Sequence, residues 1–202
     1  MGRYKQALAG CERAEESARR LGAKRFEPQN WYYRALSLDR FGQEAEAMAL
    51  LEKAELQARQ FSPHFTLARV LSGIALVTDD LARRERALAE GERLLDRGAI
   101  SHSHFIFHLD ATDSCFDHGE WDRIDHFSKR LQEFTRTEPL PWSDFMVARA
   151  GALAAWGSGE RGPDVLAELR RLRATGSEVG LISPVSRIDI ALQGELGPGL
   201  GG

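Results

Sequence analysis

Apolar residues recur at helical spacing through most of this chain. Trp31, Ala35 and Leu38 fall at i, i+4 and i+7, and Ala47, Leu51 and Ala54 repeat that spacing. Each trio therefore lies on one face of an amphipathic helix, with polar residues on the other. Between them stands Gly42, where a tight helix-to-helix connection needs permissive dihedrals. The pattern predicts a helix from about Pro28 to Phe41, a turn at Gly42, and a return helix from Gln43 to about Arg59. Two-residue alternation is absent over any useful length, so no strand is predicted.

The same punctuation returns about every forty residues, at Gly2, Gly42, Ala82, Gly119 and Gly157, a period typical of repeat architectures. Gly2 precedes Tyr4, Ala7, Cys11 and Ala14, so the chain opens at the second helix of a repeat. Leu71 and Ala75 precede Ala82, with Ala87 and Leu94 after it. His108, Thr112 and Cys115 precede Gly119, with Trp121, Ile124 and Leu131 after it. Met146, Ala150 and Leu153 precede Gly157, and Gly162-Pro163 leads into a helix carrying Val165, Leu166, Leu169 and Leu172. Ser143 is expected to cap one helix and Ser183, followed by Pro184, another. The predicted fold is all-α: antiparallel helix pairs in one repeat domain over 1–193, closed by a capping helix at about 184–193. Residues 194–202, rich in glycine, are expected to form a flexible tail.

Composition narrows the function classes. With 27 Lys and Arg against 30 Asp and Glu, the net charge is -3, which gives no general attraction to nucleic acid or to anionic membranes. No apolar run approaches the roughly 18 residues of a membrane-spanning helix. The N-terminus has no signal-peptide pattern. Cys11 and Cys115 are the only cysteines, too few for a disulfide framework. A cytoplasmic location is expected.

Candidate chemistry is sparse. There is no Gly-x4-Gly-Lys-Ser/Thr loop, and the glycines from Gly197 to Gly202 precede no helix that could present amides to a phosphate. His104 and His108 are four apart, as two metal ligands on one helix would be. Phe105-Ile106-Phe107 lies between them in place of the Glu that supplies a base in zinc hydrolases. His108 also holds the inward place of Trp31, Leu71 and Met146, so a core histidine is the better reading. A metal-dependent hydrolase using His104 and His108 is the distant alternative. Cys115 reads as a small buried hydrophobe rather than a nucleophile paired with His118. The basic run Arg170-Arg171-Leu172-Arg173 is expected to complement a helix C-terminus.

The unit Trp31-x2-Arg34-Ala35-x2-Leu38 followed by Ala47-x3-Leu51 resembles the tetratricopeptide repeat, with Arg34 in place of a leucine, Gly91 and Ser128 in place of large apolar residues, and Ile124 in place of a small one. The segment Thr137 to Phe145, with Ala148-Arg149-Ala150 and Leu169 to Arg173, is similar to the last repeats of bacterial multidomain adenylate/guanylate cyclase-type and ATP-dependent regulator proteins. This resemblance implies a right-handed superhelix acting as a protein-interaction or regulatory scaffold, a C-terminal part of a larger signalling protein. It brings no catalytic residue, cofactor or metal into this chain; the alternative is a portion of a cyclase whose catalytic domain lies elsewhere.

In such an array the first helix of each pair lines the concave side. The repeat phase places Tyr32, Asp39, Arg40, Arg69, Asp79, Asp80, Asp113, Phe116 and Asp117 there. The recurring aspartates predict an acidic groove for a basic peptide or partner helix, or for another domain of the same protein. The open N-terminal half-repeat is expected to expose an apolar face and to favour self-association.

Overall fold

The computed structural model describes residues 2–61 and 63–194. Among the described residues there is no strand; ten helices follow one another as α1 (Gly2–Arg20), α2 (Glu27–Asp39), α3 (Glu44–Phe61), α4 (Ala68–Val77), α5 (Leu81–Asp96), α6 (Ser101–Asp117), α7 (Trp121–Thr135), α8 (Pro141–Gly157), α9 (Pro163–Glu178) and α10 (Ile182–Gly194). A 3₁₀ turn, Lys24–Phe26, precedes α2, and a π-helical turn, Pro63–Leu67, leads into α4. No described helix is long and apolar enough to cross a membrane. The expected tail at 194–202 lies outside the described residues, apart from Gly194 at the end of α10.

The chain divides between Asp110 and Ala111, inside α6, into two compact units. In the first, α2 packs on α1, α3 and α4, and α4 on α5. In the second, α8 packs on α7, α9 and α10, and α9 on α10. Small residues make these approaches close: Ala35, Ala47, Ala54, Ala75 and Ala87 are all buried. Gly73 extends the logic, since a Cβ there would lie 2.8 Å from the Tyr32 ring. Gly91 extends it further, because its missing side chain is the space that the buried Phe107 ring occupies. The large ring stands on α6 and the small residue on α5, so the pair fills the space without overpacking.

The turns correct several expectations. Gly42 and Gly119 do turn the chain, with φ of 74° and 69°. Gly157 does not. It ends α8 against the Trp121 ring, and the left-handed residue is Gly159, with φ of 97°. Ala82 lies inside α5, whose start is set by Asp80: the carboxylate accepts the Arg83 amide at 3.0 Å, an N-cap that satisfies an otherwise orphaned donor. Ser143 caps nothing. α8 begins two residues earlier at Pro141, where a missing N–H costs nothing. Ser183 lies within the first turn of α10 rather than ahead of it. In α1 the inward face is Leu8, Cys11, Glu15 and Ala18, while Ala7 and Ala14 are exposed among Lys5, Gln6, Glu12, Arg13 and Glu16. Among residues 5–20 the outward face of α1 is therefore polar rather than apolar.

Candidate functional site

The most distinctive chemistry of each unit is polar and buried. In the first unit Asp110, on α6, accepts the Tyr32 hydroxyl at 2.7 Å and the Ser72 hydroxyl at 2.7 Å. Burial, then the Asp110 charge, pushes the Tyr32 phenol well above its ordinary value and keeps it a donor. Beside this group lies Arg69, on α4. Its guanidinium carbon is 6.0 Å from the Tyr32 ring centre and 5.7 Å from that of Tyr33. His102, half-buried on α6, meets the Phe65 ring edge-on at 5.4 Å. Its imidazole is pushed below the usual range by burial first and by the Arg69 charge second.

In the second unit the charges meet each other. Asp113 is buried between two arginines: Oδ1 accepts Arg149 Nη2 at 2.6 Å, and Oδ2 accepts Arg187 Nη1 at 2.8 Å. Arg149 Nε donates to the Pro184 carbonyl at 2.6 Å. Arg187 also holds Asp117 through two donors, at 3.1 and 2.5 Å. Burial pushes the Arg149 guanidinium down and Asp113 opposes it, but its very high starting value keeps it charged. The network ties α6, α8 and α10 together.

A third feature is a groove of about 490 Å³ between α3 and α5, floored by Leu71, Ile74 and Ala87. Arg59 spans it, meeting Glu90 at 2.6 Å and Glu55 at 2.7 Å. The hydrogen bond from Arg59 holds the Glu90 carboxyl below its usual range.

The expected concave-face residues are thus dispersed. Tyr32, Arg69, Asp113 and Phe116 are core residues. Asp39 is half-buried, whereas Arg40, Asp79 and Asp80 are exposed and Asp80 is a helix cap. Asp117 lies at the edge of the arginine network. Asp113 and Asp117 are neutralised by Arg149 and Arg187, so they do not form the expected acidic surface. His104 and His108 have ring centres 6.2 Å apart with planes at 41°, and no group of three or more His, Cys, Asp or Glu among the described residues is placed to hold a metal ion. His118 turns its Nδ1 to the Ser114 carbonyl at 2.8 Å rather than to Cys115, which is fully buried. Arg171 and Arg173 are not at a helix end. They lie within α9, paired with Glu168 and Asp189.

Sequence reasoning gave no role to Ser72 or Arg187; it set Asp110 beside the histidine cluster and Arg149 within the cyclase-type resemblance, and gave neither a place in the core. One signal was available: each arginine stands inside an apolar stripe, Arg149 among Met146, Ala150 and Leu153, and Arg187 among Val185, Ile188 and Ala191. A charge within such a stripe must find a partner. No protein-family model matches this chain, and no curated protein or solved structure matches it either.

Proposed function

We propose that this chain is a tetratricopeptide-like interaction module, a regulatory scaffold that holds a polypeptide partner or another domain of the same protein. The observation that supports this reading is the packing order within each unit. A helix contacts both the next helix and the next but one, α2 with α3 and α4 and α8 with α9 and α10. Hairpins stacked in a repeat array make these contacts, and such arrays present extended surfaces to partners. The Asp113–Arg149–Arg187 network buried in the second unit fits a rigid scaffold, since satisfied networks fix one packing. The test is affinity capture from the native cell with the full chain as bait, followed by purification of the captured species. A partner that binds saturably and stoichiometrically in a two-component assay supports the module. Absence of any saturable partner overturns it.

A further inference from the structure

Four arginines are buried among the described residues: Arg69, Arg84, Arg149 and Arg187. Three meet carboxylates, Arg84 at Glu85, Arg149 at Asp113, and Arg187 at Asp113 and Asp117. Arg69 does not. Only 2% of its surface is exposed, and its Nε and Nη1 are sealed from solvent with no hydrogen-bond partner among the described residues. Each of the two donor forks of the guanidinium, Nε with Nη2 and Nη1 with Nη2, therefore has an N–H that no acceptor meets. The faces of Tyr32 and Tyr33 offer the cation only the weak attraction of aromatic quadrupoles.

A desolvated guanidinium whose N–H donors meet no acceptor is among the costliest arrangements a core can hold. A negative group from outside the chain would relieve it. The outer wall is thin: Tyr33 is 41% exposed, and its ring packs edge-on against Tyr32 at 5.0 Å. A side-chain swing of Tyr33 would open the guanidinium to a ligand. The closely set rings favour a flat group over a tetrahedral one, and a carboxylate matches the planar fork with two parallel hydrogen bonds.

We propose that Arg69 anchors a binding site for a carboxylate on a partner polypeptide, an aspartate or glutamate side chain that enters past Tyr33. The proposal rests on the interaction-module reading and fixes the partner's chemistry as acidic, opposite to the basic partner expected from the aspartate spacing.

The test follows the Arg69 Nε–H signal by ¹⁵N NMR in the full chain. The probe is a hexaglutamate peptide with both ends blocked, compared with blocked hexaglutamine, sodium acetate and inorganic phosphate. Hexaglutamate should shift the signal saturably and hexaglutamine should leave it in place. Arg69→Met should bind hexaglutamate at least tenfold more weakly while melting at or above the parent temperature. Should Arg69→Met not fold, Arg69→Lys, which keeps the charge without the fork, should show the same tenfold loss. An unmoved Arg69 signal, or a folded variant that binds as the parent does, overturns the site. Saturation by phosphate at lower concentration than peptide overturns the carboxylate assignment, and equal saturation by acetate overturns the polypeptide source. A captured partner with a silent Arg69 would sink this site alone; a responsive Arg69 with no captured partner would sink the module reading alone.

Discussion

In the unit Ala111–Gly202, the buried Asp113 lies between the guanidinium groups of Arg149 and Arg187, and Arg149 spends its remaining reach on the Pro184 carbonyl. In the unit Met1–Asp110, Asp110 is held by two neutral hydroxyls, from Tyr32 and Ser72, and the nearby Arg69 faces rings. Both units place charge inside stacked helices. One joins opposite charges into a tie across three helices, and the other leaves two buried guanidinium nitrogens of Arg69 without an acceptor among the described residues. A buried pair becomes costly when one partner is removed, whereas an unanswered charge becomes costly by being present. The same class of substitution should therefore have opposite signs in the two units.

The largest effect is expected at Asp113. Asp113→Leu leaves Arg149 and Arg187 buried without the carboxylate between them, and should destabilise the second unit by about 3–5 kcal/mol, measured by urea unfolding of the full chain. Adding Arg149→Met should recover much of that loss, because the double variant no longer buries an unpaired guanidinium. A loss under about 1 kcal/mol would place the network in the range of exposed ion pairs and remove the contrast between the units.

Next is Tyr32→Phe, which deletes one donor to the Asp110 carboxylate. Hydrogen bonds to charged groups contribute about 1.5–3 kcal/mol, and the first unit should lose that much. The ring and its packing remain, so a loss in urea unfolding reports the hydroxyl alone.

Arg69→Met should reverse the sign. Methionine fills similar space without charge, and the first unit should gain about 1 kcal/mol, the low end of what apolar replacement of buried charge returns. Destabilisation comparable with that of Asp113→Leu would mean that Arg69 is answered within the fold, and the units would no longer differ.

The helical class and several of the turns were legible in the sequence. The apolar spacing of Trp31 to Leu38 and of Ala47 to Ala54 does lie on α2 and α3, and Gly42 and Gly119 do turn the chain, because amphipathic periodicity and positive φ are local properties. The α4–α5 link was misread at Ala82 because it uses an extended Thr78 and an Asp80 cap, with no glycine at all. The phase of α1 slipped by one residue because alanine is nearly indifferent to exposure, so Ala7 and Ala14 could not mark a face. The polar interiors were the least legible. Asp113 and Arg187 are far apart in the chain, and an arginine in isolation reads as a solvated residue with an apolar stem. Only the fold brings the partners together, and among the described residues it brings no acceptor to Arg69 Nε or Nη1.

The smallest effect is the one that reports most directly on Arg69. His102 has an imidazole held below its ordinary value of 6.5, by burial first and then by the Arg69 charge. The unfolded chain therefore binds this proton more readily than the folded chain, and stability should rise with pH across the interval between the two values. The contribution is fully present above the unfolded value of about 6.5 and is lost as pH falls through the folded one. Urea midpoints at pH 7.5 and 5.5 should show this slope, and His102→Gln should flatten it. Arg69→Met should flatten it only in part, because burial, the larger cause, remains. A carboxylate bound at Arg69 would act on the same imidazole as Arg69→Met does, by cancelling the guanidinium charge, so hexaglutamate should raise the His102 titration midpoint in the parent and leave it unmoved in the variant.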